Sequence, residues 1–205
     1  VLVPPESLSA PQRTLVEGID LRVKPDPLAR SLEVQMAPPS VENQEPDDRN
    51  LWRALAHTHG VAPGTIDLAV QQSLSSRLRS LGWKASVVLR GSEVIALDAP
   101  PTRWIGLAVD IGTTKIAVYL VDMKSGEIAA SSGLMNPQIS YGEDVVSRIY
   151  LAGASADNAE KMQSLLVEAL NRTVAALCTE IGSDPSHVVD AVLVANTAIH
   201  HLLLR

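Results

Sequence analysis

One strand–turn–strand–turn–strand run in the second half of the chain limits the fold more than any other feature. Ile105, Gly106, Leu107, Ala108 and Val109 form a short apolar run of the kind a buried strand needs, and Asp110-Ile111-Gly112-Thr113-Thr114 reads as a turn. Residues 115–121 are rich in β-branched side chains, Asp122-Met123-Lys124-Ser125-Gly126 turns the chain again, and residues 127–134 make a third strand. Connections this short join neighbours only in antiparallel fashion, so the three strands form a meander. Beyond it the spacing predicts a helix over 142–152, a longer one over 157–181 with Met162, Leu165, Leu166, Ala169, Leu170, Val174 and Leu177 on one face, a strand over 190–195 and a helix from Thr197. The chain has no Phe and only 3% aromatic residues, so its core rests on Val, Leu, Ile and Ala, as in sheets packed against Ala-rich helices. The fold class is α/β with a mixed sheet.

The region before the meander has a different character. Residues 1–46 are punctuated by Pro4-Pro5, Pro11, Pro25, Pro27, Pro38-Pro39 and Pro46, which leaves room for short extended pieces over 15–23 and 31–36. A helix follows from a cap at Asp47 or Asp48, with Leu51, Trp52, Leu55 and Ala56 as its apolar stripe, ending near His59-Gly60. A second begins after Gly64-Thr65 and carries Leu68, Leu74, Leu78 and Leu81 up to Gly82. Strands over 83–89 and 93–97 meet at Arg90-Gly91-Ser92, and Pro100-Pro101 breaks the pattern. The expected organisation is a linker over 1–30, a small α/β middle domain over 31–100 and a further domain beginning at 101. Val1 in place of a methionine, and a finish on Leu202-Leu203-Leu204-Arg205, mark the stretch as a fragment of a longer protein.

Composition narrows the function classes. A net charge of −6 argues against a general nucleic-acid binder. No apolar run reaches the ~18 residues of a membrane span, no basic-then-apolar signal opens the chain, and the expected compartment is the cytoplasm. Cys178 is the single cysteine, which leaves no disulfide framework and no multi-cysteine cluster site within these residues.

The turn Asp110-Ile111-Gly112-Thr113-Thr114-Lys115 carries the chemistry. An aspartate closing a buried strand can hold a hydrated metal ion. A glycine-containing turn offers backbone N–H groups and two hydroxyls to phosphate oxygens, with Lys115 as a point charge. The same residues also suit a hairpin in which Asp and Gly serve turn geometry alone, and the GxxxxGK[ST] loop is absent.

From Leu107 to Lys115 the chain resembles the first phosphate motif of the acetate and sugar kinase, Hsp70 and actin superfamily, and the meander followed by a helix resembles the start of its ribonuclease-H-like lobe. A narrower likeness follows. Asn136-Pro137-Gln138-Ile139-Ser140-Tyr141-Gly142-Glu143-Asp144-Val145-Val146-Ser147-Arg148-Ile149 and Val194-Ala195-Asn196-Thr197-Ala198-Ile199-His200-His201-Leu202-Leu203-Leu204 resemble the ATP-dependent reductive activators of corrinoid proteins. Val3-Pro4-Pro5-Glu6-Ser7 is similar to the segment after the ferredoxin domain of that family. Ala195 stands where the family usually has Gly.

The resemblance implies ATP and Mg2+ as cofactors, with Asp110 near the ion through water and Gly112, Thr113, Thr114 and Lys115 around the phosphates. Asn196 and Thr197 are the implied catalytic pair facing the reacting phosphate or its water, and Asn136, Gln138 and Asp144 are weaker cleft candidates. It further implies a [2Fe-2S] domain before Val1, a second ATPase lobe after Arg205, a corrinoid (cobalamin-binding) protein as partner and a homodimer; with half of the cleft missing, this stretch alone is expected to show little or no ATPase activity. The implied function is ATP-driven electron transfer to a Co(II) corrinoid. The alternatives are a small-molecule kinase acting on a sugar or carboxylate, and a docking and dimerisation module. Other residues have plainer expectations: His57 and His59 at a helix C-terminus, Cys178 in a core, Glu168 and Glu180 solvated. His200 and His201 project about 100° apart, which is wrong for one metal.

Overall fold

A computed structural model describes residues 26–42 and 44–204. The extended piece expected over 15–23 and nearly all of the expected linker lie outside the described residues. Two four-stranded mixed sheets, each with its own helices, follow one another along the chain.

The first sheet has the order β1 (Ala29–Gln35), β3 (Lys84–Arg90), β4 (Glu93–Asp98), β2 (Thr65–Ile66). Its first three strands pair antiparallel and β2 joins β4 in parallel. Helices α1 (Asp47–His59) and α2 (Leu68–Ser80) cover one face. All five interior residues of β3 are buried, which a two-residue period explains only if both faces are covered. Ala85, Val87 and Leu89 enter the core with Leu51, Leu55, Leu74 and Leu78. Val88, from the opposite face, joins Ala29 and Trp104, and the Trp104 indole N–H donates to the Ser86 hydroxyl at 2.9 Å. Trp104 follows the Pro100-Pro101 break, so this second face is where the two halves of the chain meet. Asp98 closes the contact: its Oδ2 lies 3.1 Å from His187 Nε2 and 3.5 Å from Arg77 Nη2.

Several local expectations change. Neither Asp47 nor Asp48 caps α1; Pro46 holds that position with no side-chain bond, and Asp47 pairs with Arg79 at 2.7 Å. Ala56 is exposed, and Asn50 is buried instead, donating to the Ala37 carbonyl at 2.9 Å. The C-terminus of α1 is closed by Gly60 in the left-handed region, while His59 reaches across to the Glu33 carbonyl at 2.7 Å. Trp83 is not yet strand. It sits at φ 65° as part of the turn that ends α2, with the Arg79 guanidinium 5.3 Å above its ring.

The second sheet has the order β7 (Ile128–Met135), β6 (Lys115–Asp122), β5 (Ile105–Ile111), β8 (Val188–Ala195). The β7–β6–β5 meander is antiparallel, and β8 returns parallel to β5 after helices α3 (Val145–Ala154) and α4 (Ala156–Glu180). This mixed sheet matches the one expected from the sequence. A 3-10 turn over Pro137–Tyr141 occupies the space between β7 and α3, which starts three residues later than the spacing suggests. Met162, Leu166 and Leu170 of α4 are buried, as is Cys178; Leu166, Leu170 and Cys178 pack with Val109, Ile111, Ile116 and Val118 of the sheet. Helix α5 (Thr197–Leu204) leaves directly from the end of β8.

Candidate functional site

Parallel pairing of β5 with β8 sets Asp110 beside Val194 and Ile111 beside Ala195, so both strands finish at one edge. The 110–115 turn leaves one strand there, and Asn196 and Thr197 leave the other. Ligands in α/β sheets gather where strands end. Asn196 accepts the Ile199 N–H on Oδ1 at 3.0 Å, which caps α5, and its Nδ2 donates to the Thr113 hydroxyl at 3.3 Å. Asp110, Thr114, Asn196 and Thr197 are exposed, whereas Gly112, Thr113 and Lys115 are half-buried. Seven residues named from the sequence as a phosphate, metal and catalytic set therefore share one edge of the sheet.

The turn has an unusual backing. Its three successive carbonyls are each tied from behind: Gly112 by Asn136 Nδ2 at 2.8 Å, Thr113 by Arg148 Nη2 at 2.7 Å and Thr114 by the Asn136 N–H at 2.8 Å. These peptides are trans, and in a planar trans peptide the N–H points opposite to the carbonyl. The amides of Thr113 and Thr114 thus face away from Asn136 and Arg148, and neither donates to a carbonyl among the described residues. Gly112 is needed for closeness, because a Cβ there would lie 2.6 Å from the Lys115 carbonyl oxygen.

Asn136 and Gln138 are not cleft residues. Asn136 is 1% exposed and also accepts the Gln138 N–H on Oδ1 at 3.0 Å, while fully buried Gln138 donates to the Met162 carbonyl at 3.2 Å. Asp144 is the N-cap of α3, accepting both the N–H and the hydroxyl of Ser147, at 2.8 and 2.7 Å. Those bonds, led by the Ser147 N–H, hold its carboxyl below the usual carboxylate range. His200 and His201 are exposed on α5, and among the described residues no cluster of three or more His, Cys, Asp or Glu is placed to hold a metal.

Arg148 went unnoticed in the sequence because α3 inverts the ordinary pattern. Val146, Ile149 and Tyr150 are exposed while Arg148 is buried, and burial pushes its guanidinium pKa down. A lone arginine within Val145-Val146-Ser147-Arg148-Ile149-Tyr150-Leu151 was the available signal.

A second polar cluster, at the contact between the two halves, links Ser183 Oγ to His187 Nδ1 at 3.2 Å and His187 Nε2 to Asp98 at 3.1 Å. It has the connectivity of an acyl-transfer triad without its oxyanion donors: the Gly182 and Ser183 amides donate to the Thr179 and Cys178 carbonyls. It ties β4 to the segment before β8.

Known proteins match most of the chain. The RACo linker region matches residues 19–103 and the RACo middle region matches residues 105–205. The corrinoid activation enzyme RamQ of Eubacterium limosum is 33% identical over 100 residues, which are 49% of this chain and 17% of RamQ. A solved structure described as a reductive activator for corrinoid,iron-sulfur protein superposes with a TM-score of 0.71 at 26% identity, covering 90% of this chain and 30% of that one. The chain thus spans less than a third of either relative. With linker and middle regions matched in succession and the fold shared, the chain belongs to the RACo family.

Proposed function

We propose that this chain is the linker and first-lobe part of an ATP-dependent redox activator. Mg-ATP bound at the 110–115 turn drives one electron from a [2Fe-2S] cluster, carried elsewhere in the protein, to the Co(II) corrinoid of a methyl-transfer protein. Cys178 is buried in α4, so these residues offer the cluster no cysteine set. The observation that carries the ATP half is the backing of the turn, which leaves two amides and an exposed carboxylate on the open side of the sheet edge.

In this reading Asp110 orients water on the Mg2+ ion, Gly112, Thr113, Thr114 and Lys115 surround the phosphates, and Asn196 and Thr197 face the reacting phosphate from the neighbouring strand end. Nucleotide that binds one arrangement of the lobes better than another shifts their equilibrium, and hydrolysis resets it. Residues 1–30 serve as an extended connection, 31–100 as a small α/β domain inside the stretch matched as linker region, and 101–205, matched as middle region from 105, as the start of the ATPase lobe. The activator works in the cytoplasm as a homodimer with a corrinoid protein as partner, without nucleic acid or membrane. No helix among the described residues is long and apolar enough to cross a membrane.

RamQ and the solved relative are both activators by name rather than small-molecule kinases. The two chemistries leave different products. The intact protein with Mg-ATP and its corrinoid partner, offered a mixture of sugars and carboxylates, should release inorganic phosphate; a phosphorylated sugar or carboxylate in place of free phosphate would contradict the proposal.

A further inference from the structure

Arg148 is 0% exposed, and among the described residues it forms no ion pair. Its Nε donates to the Gly142 carbonyl at 2.9 Å and its Nη2 to the Thr113 carbonyl at 2.7 Å, while Nη1 is buried without a partner. Gly142 sits at φ 149°, and a Cβ there would come 2.7 Å from the Ser147 Cβ, so glycine lets this carbonyl approach α3. Asp144 favours the charged guanidinium, but both its oxygens are engaged by Ser147. A cation held in a protein interior without a counterion is destabilising. Two neutral carbonyls do not balance it, and one of them belongs to the centre of the turn.

We propose that Arg148 is the positioning residue of the phosphate turn. It fixes the Thr113 carbonyl so that the Thr114 amide of the same peptide faces the nucleotide, and it places behind that peptide a positive charge that bound polyphosphate compensates. The inference rests on the reading of the turn as a nucleotide site and adds a group that does not itself touch the ligand. It explains why a largely apolar helix turns its one arginine inward while Val146, Ile149 and Tyr150 face outward.

Calorimetric titration of the intact protein with Mg-ADP tests it, using wild type, Arg148→Lys and Arg148→Gln. Lysine keeps the charge but cannot serve both carbonyls with one planar fork; glutamine loses the charge as well. Loss of a charge-assisted bond predicts a Kd weaker by about tenfold for lysine and about a hundredfold for glutamine. Equal Kd values across well-folded variants overturn the inference and leave the nucleotide reading standing. Absence of Mg-ADP binding in the wild type overturns both. If the variants do not fold, wild-type hydrogen exchange decides: saturating Mg-ADP should slow the Thr113 and Thr114 amides, and unchanged exchange there contradicts the proposal.

Discussion

Asn196 and Thr113 stand 83 residues apart in the chain and meet at 3.3 Å, the amide of one donating to the hydroxyl of the other. The contact fastens the start of α5 to the 110–115 turn, so a shift of either strand end is felt by the other. The same Asn196 side chain caps α5, and a cap is worth ~0.5–2 kcal/mol.

The two tasks of Asn196 separate by substitution. Asn196→Asp keeps the capping oxygen and loses the donor, so in the intact protein it should melt near the wild type while ATP turnover falls by about tenfold or more. Asn196→Ala should lose both stability and turnover. Equal turnover in wild type and Asn196→Asp would remove Asn196 from the site.

Asp110 is exposed at the end of a buried strand, and its removal leaves no cavity. Asp110→Ala in the intact protein should lower ATP turnover by about a hundredfold, with a melting temperature close to wild type and an unaltered cluster spectrum. Normal turnover in a well-folded variant would return the turn to a hairpin without nucleotide chemistry.

The contact between the two halves should weaken in acid. Burial raises the Asp98 carboxyl, but the Ala99 N–H, His187 and Arg77 outweigh it and hold it below its ordinary value. A carboxyl with a lowered pKa in the folded state binds fewer protons there than in the unfolded chain, so stability rises with pH. Its contribution is complete above the unfolded value, about 3.9, and disappears as pH falls through the lower folded value. Urea midpoints of wild type and Asp98→Asn should differ by a constant amount between about pH 5 and 6 and converge below about pH 4. A difference that grows on acidification would show that Asp98 is not the group responsible.

The β5–β6–β7 meander was legible because its first two strands are apolar, β-branched-rich runs and each of its turns carries an Asp and a Gly. Thr65–Ile66 was not: two residues carry no period, and the strand exists because the Thr65 N–H finds the Ser92 carbonyl and the Asp67 N–H finds Val94. Asp110, the turn and Asn196 could be named as candidates from a local motif. Their backing could not, since Asn136 reaches Gly112 across 24 residues and Arg148 reaches Thr113 across 35. Helix periodicity fails at α3 because the residue it buries is Arg148, whose guanidinium donates to two backbone carbonyls, while Val146, Ile149 and Tyr150 stay exposed.

The most direct test is optical. Intact protein with its cluster reduced, mixed with a Co(II) corrinoid protein, is followed by absorbance for the appearance of Co(I), with and without Mg-ATP. Co(I) should accumulate with Mg-ATP and stay near baseline without it or with Asp110→Ala. Accumulation to the same level without nucleotide, or with Asp110→Ala, would contradict the account.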